Sequence, residues 1–382
     1  MDKIKVLSVF GTRPEATKMI PLVKAIEADP DTLSIVCVSA QHRNMLDQVL
    51  DIFDVKPDYD LDIMRERQSL SYITSSAMDG VYNVIKEAEP DIVLVHGDTT
   101  TTFAAALGAF YAKCAIGHVE AGLRTYDKYQ PYPEEMNRKL TGSLADIHFS
   151  PTLAAKNNLL KENVNEDTIF VTGNTAIDCT RGTVRGDYVF SERALNNIDF
   201  KSKRVIAVTA HRRENIGEPL ENICEAFDEL IKKYDDVEIV YAVHSNPVVI
   251  ETAERILGGK PRIHLLPPLD ILDMHNLMGR SYMVMSDSGG LQEEAPAFSK
   301  PVIVLRDVTE RPEGIVAGTL VLAGTRKEDI LMQAERLLAD KNAYNAMANA
   351  KNPFGDGYAS QRIVEAIKYY FKKTDKRPED FA

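Results

Sequence analysis

Short apolar runs rich in β-branched residues alternate with helical patterns along almost the whole chain, and the alternation occurs twice over. In the first half the runs are KIKVLSVF, SIVCVSA, DIVLVHG, CAIGHV, DIHFS and TIFVTG, with amphipathic segments such as ATKMIPLVKAIEAD between them. The second half repeats the scheme with RVIAVTA, VEIVYAVH, RIHLLPP, YMVMSD, PVIVLRD and TLVLAG. Strands separated by helices pair in parallel, and near-continuous Val/Ile runs suit strands covered on both faces. The expected fold is therefore α/β, with two doubly wound sheets in two domains, spanning residues 1–172 and 173–359. A chain of 382 residues with 44% hydrophobic content can fill two cores. Apolar periodicity lapses over residues 182–203, which marks the passage between the halves.

In open parallel sheets ligands sit beyond the carboxyl ends of the strands. The polar clusters of this chain fall at such ends: GTRPEATK, AQHRNMLDQ, HGDTTTT, HVEAGLRT, TGNTAID, TAHRREN, VHSNP and SDSGG. Two facing domains would share one polar cleft built from them.

Several function classes are disfavoured. No apolar run approaches the ~20 residues that span a bilayer, and MDKIKVLSVF enters a strand without a signal-type segment, so the expected address is the cytoplasm. Cys37, Cys114, Cys179 and Cys224 lie far apart without CxxC spacing and read as packing residues. A net charge of -12 disfavours nucleic acid as a partner. GxGxxG, GxxxxGK[ST] and histidines at metal-ligand spacing are missing from the sequence, so neither a cofactor nor a metal is expected.

The first half supplies acids at strand ends: Asp98, Glu120, and Glu134 beside Glu135. Asp98 has a competing reading as N-cap of the helix TTTTFAAALGAF, and the two glutamates after Pro133 are also good helix starters. Glu120, between a buried strand and a glycine, has no packing reason to be there. The second half supplies cations, with His211, Arg212 and Arg213 after one strand and Arg306 and Arg311 after another. In SDSGGLQEEAP, Ser288, Gly289 and Gly290 open a helix with bare amides, which suits an anion. Glu294 covers surface about one turn, ~5.4 Å, further along. Amides followed by a carboxylate fit a nucleoside diphosphate, with phosphate at the amides and the ribose diol at Glu294.

Taken together, FGTRPEATKMIPL, HGDTTTT, GHVEAGLRT, PEEMNR, TGNTAID, TAHRREN, SDSGGLQEEAP, KPVIVLRDVTERPEG and NPFGDGYASQRI resemble the bacterial non-hydrolysing UDP-N-acetylglucosamine 2-epimerases from about residue 4 to residue 370. The resemblance implies a glycosyltransferase B-type fold of two Rossmann-like domains, with the C-terminal helix, residues 360–382, crossing back to the first. It implies a homodimer that converts UDP-GlcNAc to UDP-ManNAc for cell-surface polysaccharide. By the same resemblance Asp98, Glu120 and Glu134 serve proton transfer and oxocarbenium stabilisation, and His211 stabilises the departing diphosphate. Arg13 and Lys18 reach the substrate, Arg212 and Arg311 bind it, Ser288, Gly289 and Gly290 hold phosphate, and Glu294 takes the ribose.

The chemistry agrees with the residue types. Carbon 2 of the sugar is not beside a carbonyl and no nicotinamide site exists to oxidise a neighbour, so elimination of UDP and its re-addition is the remaining route. A hydrolysing epimerase, a glycosyltransferase of the same fold and a non-catalytic sensor are the other classes; the segment AQHRNMLDQ favours the non-hydrolysing branch. That segment reads either as a plain helix start, with Met45, Leu46 and Val49 packed and Gln41 and His42 exposed, or as part of a regulatory UDP-GlcNAc site. The resemblance places Gln41, His42 and Arg67 in the latter, next to Glu134.

Overall fold

The computed structural model describes residues 3–381. Contacts divide the chain into two units: residues up to Cys179 together with those from Gly355 onward, and Thr180–Phe354. The first unit holds β1 (Ile4–Phe10), β2 (Thr32–Val38), β3 (Tyr59–Asp60), β4 (Ile92–His96), β5 (Ala115–Val119), β6 (Ile147–Ser150) and β7 (Ile169–Val171). The second holds β8 (Arg204–Thr209), β9 (Val237–Ala242), β10 (Ile263–Leu266), β11 (Met283–Ser286), β12 (Val302–Val304) and β13 (Leu320–Leu322). Each apolar run singled out in the sequence contains one of these strands or, for SIVCVSA and β2, most of it. The exception is β3, two residues long and without an apolar run to announce it.

The sheets run β3-β2-β1-β4-β5-β6-β7 and β10-β9-β8-β11-β12-β13, with every pairing parallel. Strand order reverses between β1 and β4 in one unit and between β8 and β11 in the other. These are the points where a doubly wound sheet leaves room for a ligand. Both faces of the first sheet are covered. Val6 and Phe10 pack with Met19, Ile20 and Ile363, while Leu7 and Val9 pack with Val93, Val95 and Ala109 on the opposite side. Period-2 alternation along β1 thus sends apolar side chains into two cores.

The helix Ala359–Tyr370 belongs to the first unit, burying Ile363, Val364, Ala366 and Ile367 against the helix Arg13–Ala28. Asp178 fixes its start by accepting hydrogen bonds from the amides of Ala359 at 3.0 Å and Ser360 at 2.6 Å. Burial raises the Asp178 carboxyl above its ordinary value, and the bonds from Ser360 and Ala359 offset part of that shift. No helix among the described residues is long and apolar enough to cross a membrane.

Candidate active site

In the first unit three adjacent strand ends converge. The turn after β1 passes so close to β2 that a Cβ on Gly11 would lie 1.9 Å from Ser39 Oγ. That turn delivers Arg13, half-buried at the start of its helix, and Lys18 one turn later. Glu120 follows β5 with φ of 62°, a left-handed backbone that a side chain with a Cβ adopts at a cost of about 1–3 kcal/mol. Its carboxylate pairs with the Lys18 ammonium, and His96 Nε2, at the end of β4, lies 3.2 Å from Oε2 but poorly aligned for a hydrogen bond. Burial alone would raise the Glu120 carboxyl; the Lys18 and His96 charges outweigh it and hold the group well below the usual carboxylate range.

Asp98 follows β4 and does not cap the next helix. Thr99 does that, its Oγ1 accepting from the Thr102 amide at 3.1 Å and donating to Glu15 Oε1 at 2.8 Å. Released from capping, the Asp98 carboxylate receives Arg138 Nη2 at 2.6 Å and Nε at 2.9 Å, while Asn137 donates to the Asp98 carbonyl at 2.9 Å. Asn137 and Arg138 stand three and four residues after Glu134, on the same face of the helix Glu134–Leu144. Glu134 is half-buried and its Oε2 is buried without a hydrogen-bond partner. Its neighbour Glu135 is fully buried and structural: it accepts from the amides of Thr125 and Tyr126, both at 3.0 Å, and meets Arg138 at 3.3 Å.

Glu15 ties the two loops together. One oxygen accepts from the amides of Gly11 at 3.1 Å and Thr12 at 2.9 Å, and the other receives Thr99 and Thr102 from the β4 side. At the end of β2, Gln41 Oε1 accepts from Thr101 at 2.9 Å, and the Gln41 carbonyl accepts from Gln68 at 3.0 Å. Gln41 is therefore half-buried rather than exposed, and Arg67 sits beside the residue that holds it. His42 and Arg67 are exposed. Leu46 and Val49 pack as expected, but Met45 is 50% exposed, because it stands on the outward side of its helix.

The second unit inverts the charges. Asp287, buried after β11, gathers the β8 loop onto one oxygen. Oδ2 accepts from the amides of His211 at 2.7 Å and Arg212 at 2.8 Å and from Asn215 Nδ2 at 3.0 Å. The His211 ring stacks on His244 at 5.1 Å and 8°, with Nδ1 3.4 Å from Asp287 Oδ1. Burial, aided by His244 and Arg212, brings His211 below the ordinary histidine value against the pull of Asp287. The helix Gly289–Glu294 starts under two guanidinium groups: a Cβ on Gly289 would lie 3.7 Å from Arg311 Nη2 and 3.8 Å from Arg212 Nη2. Arg311 is paired with Glu293, and Arg306 with Glu214 at 2.8 Å; Arg213 is exposed. Ser288 is the N-cap residue, yet its side chain makes no capping bond. Glu294 Oε1 lies over Gly290, 3.6 Å from where its Cβ would be.

In the first unit Lys18 and Glu120 are thus in direct contact, and Glu134 shares a helix face with the residues that hold Asp98. In the second, His211, Arg212, Ser288, Gly289 and Arg311 gather around Asp287 and one short helix. Sequence reasoning passed over Glu15, His96, Arg138 and Asp287, and did not divide Glu135 from Glu134. Their signal was present only as a polar residue inside an already polar motif.

The sequence profile of the UDP-N-acetylglucosamine 2-epimerase family matches residues 24–368. A UDP-N-acetylglucosamine 2-epimerase of Bacillus subtilis is 54% identical over 381 residues, covering 100% of this chain and 99% of that one. The crystal structure of a candidate UDP-N-acetylglucosamine 2-epimerase from Listeria monocytogenes superposes with a TM-score of 0.94 at 57% identity, covering 100% of each chain. The UDP-GlcNAc 2-epimerase of Neisseria meningitidis, solved bound to UDP-GlcNAc, superposes with a TM-score of 0.85 at 48% identity, covering 95% of this chain and 99% of that one.

Proposed function

This chain belongs to the UDP-N-acetylglucosamine 2-epimerase family, and from that premise we propose that it interconverts UDP-GlcNAc and UDP-ManNAc without hydrolysis. The observation that carries the reading is the Glu120 carboxylate, kept ionised by Lys18 and His96 at a strand end beside Asp98 and on a strained backbone. An anion so placed suits a sugar that develops positive charge at carbon 1.

The reaction balances without a cofactor. A carboxylate takes the proton from carbon 2 as the bond from carbon 1 to the diphosphate oxygen breaks, leaving 2-acetamidoglucal and UDP. A proton then reaches carbon 2 from the other face as UDP adds back to carbon 1. Asp98, Glu120 and Glu134 provide the acids. Glu120, held ionised, is suited to be the base or the charge stabiliser rather than the donor, and Glu134 has a carboxyl oxygen unoccupied by any protein donor. Arg13 reaches the substrate from the first loop. In the second unit Arg212, Arg311 and the amides after Ser288 hold the diphosphate, His211 meets it as it departs, and Glu294 accepts the ribose diol. His211, lowered by burial, is neutral near pH 7 and serves as a hydrogen-bond donor. The Neisseria relative's complex with UDP-GlcNAc supports this substrate.

Incubation with UDP-GlcNAc in deuterated water, followed by NMR, is the test. Deuterium at carbon 2 of UDP-ManNAc is expected; retention of the original hydrogen defeats the elimination scheme. Accumulation of free ManNAc and UDP would make the enzyme a hydrolysing epimerase instead. The reading extends to a cytoplasmic homodimer supplying cell-surface polysaccharide synthesis, and to a second, regulatory UDP-GlcNAc held by Gln41, His42 and Arg67 next to Glu134. The tie from Gln41 to Thr101 and Gln68 gives that ligand a route to the β4 loop. Purified UDP-ManNAc should then react very slowly until UDP-GlcNAc is added, and prompt conversion on its own would remove the regulatory site.

A further inference from the structure

His275 is 1% exposed in the helix Ile271–Arg280, and its Nε2 has no hydrogen-bond partner. A buried, unsatisfied ring nitrogen is costly. An apolar side chain would fill the same space against Phe298, whose ring centroid is 5.6 Å away. The orientation of the imidazole is nevertheless tightly fixed. Nδ1 lies 2.9 Å from Thr183 Oγ1, and that hydroxyl also lies 2.9 Å from the Thr180 carbonyl. The segment bearing Thr183 is pinned to the same helix by Asn276, which donates to the Thr183 carbonyl at 2.8 Å and accepts from the Arg185 amide at 3.0 Å. So arranged, the ring directs Nε2 at Glu294 Oε2, 3.4 Å away. That is too long for a formed hydrogen bond and short enough to become one.

The two oxygens of Glu294 are thereby divided. Oε2 faces the buried imidazole and Oε1 faces the helix start over Gly290. We propose that His275 is a positioning residue: it anchors Glu294 from behind so that Oε1 meets the ribose diol, and it makes the site select ribonucleotides over 2′-deoxyribonucleotides. The proposal rests on the reading of Glu294 as the ribose acceptor. Ligand contact at Oε1 draws the carboxylate into register and closes the distance to Nε2, as polar contacts in empty sites commonly tighten when filled. For Nε2 to carry the ring proton and donate to Oε2, the Thr183 hydroxyl, which has both the Thr180 carbonyl and Nδ1 within 2.9 Å, turns its proton to Nδ1; Thr183, His275 and Glu294 then form one line to the ligand, each member fixing the next.

Calorimetric titration of UDP and 2′-deoxyuridine 5′-diphosphate tests this on the full chain. The wild type should favour UDP by about tenfold, the worth of one hydrogen bond to a charged group. His275→Leu, which fills the volume without a nitrogen, should bring the ratio close to one while leaving the affinity for the deoxy compound unchanged. His275→Gln, whose amide can donate to Glu294, should keep most of the preference and covers the case in which the leucine protein does not fold. An unchanged ratio in His275→Leu overturns the proposal, as does an equal loss of both affinities in the two variants, which would mark a merely structural histidine. A wild-type ratio near one removes the ribose reading of Glu294 and the proposal with it, and that failure is visible before any residue is changed.

Discussion

The two units share an architecture and differ in the sign of what they present. At the β1/β4 reversal carboxylates gather, with Lys18 paired to Glu120 and Arg138 to Asp98. At the β8/β11 reversal, cations and amides are on offer and one buried carboxylate, Asp287, is the scaffold. The same division appears within the paired glutamates of each unit. Glu135 and Glu293 are buried and tied to Arg138 and Arg311, while Glu134 and Glu294 keep an oxygen unoccupied by a protein donor. Adjacent residues on a helix point ~100° apart, so a Glu-Glu pair at either end of a helix naturally gives one structural and one available acid. The difference between the units is therefore one of which sign of charge gathers at the reversal, and it can be broken from either side.

The largest effect belongs to the first unit. Glu120→Gln and Asp98→Asn keep shape and remove the charge, so turnover should fall by about 100-fold or more while UDP affinity stays within a few-fold. A matching loss of UDP affinity would mean that the units do not divide chemistry from binding. Next in size is the scaffold of the second unit. Asp287→Ala strands two half-buried amides and the buried Asn215, and unfolding of that unit by denaturant should be easier by about 3–5 kcal/mol. Stability lowered by less than about 1 kcal/mol would show that Asp287 is not the organising group.

Acid should separate the units more gently. Burial pushes His118 down to about 3 and His148 down to about 4, and both lie in the first unit. The His118 ring, donating to the Gly97 carbonyl at 2.7 Å, stays neutral in the fold. Below the ordinary histidine value of ~6.5 the unfolded chain binds protons that the folded one does not, so stability is full above that pH and declines as the pH falls towards 4 and 3. The decline is at most about 1.4 kcal/mol per pH unit for each ring. Glu120, also held low, adds its loss only below the ordinary glutamate value of ~4.3. His211, lowered by burial in the second unit, makes that unit lose stability in acid through one ring against two. Hydrogen exchange between pH 7 and 5 should therefore show β4, β5 and β6 losing more protection than β8 and β11, and uniform loss would contradict this assignment.

Much of this was legible beforehand, for a physical reason. Parallel strands covered on both faces need long β-branched runs, so the runs marked both the strands and, at their ends, the polar loops; β3 escaped because a two-residue edge strand needs no such run. What the sequence did not distinguish was an acid left with few protein partners from one fully spent on the fold. Glu15 and Glu120 are both glutamates at strand ends, but Glu15 is spent on the amides of Gly11 and Thr12 and the hydroxyls of Thr99 and Thr102. Both are largely buried, so partner count separates them, and it is not a property of the local sequence. Asp98 was ambiguous for the same reason, until Thr99 proved to be the residue that caps.

The smallest effect sets two helix starts against each other. Thr99 caps its helix through Oγ1 and also joins Glu15, so Thr99→Ala should lower stability by about 1 kcal/mol, the usual worth of a cap. Ser288 occupies the equivalent position in the second unit, but its hydroxyl makes no capping bond. Ser288→Ala should therefore cost only a few tenths of a kcal/mol in stability while weakening UDP binding by about three- to tenfold, the range of one modest hydrogen bond. Thermal unfolding and UDP titration on both variants give the comparison. A crossed pattern, stability lost at one start and affinity at the other, is the expected outcome. If Ser288→Ala loses as much stability as Thr99→Ala and no affinity, the hydroxyl at the second helix start is a structural cap after all, and the diphosphate is held by the amides and arginines alone.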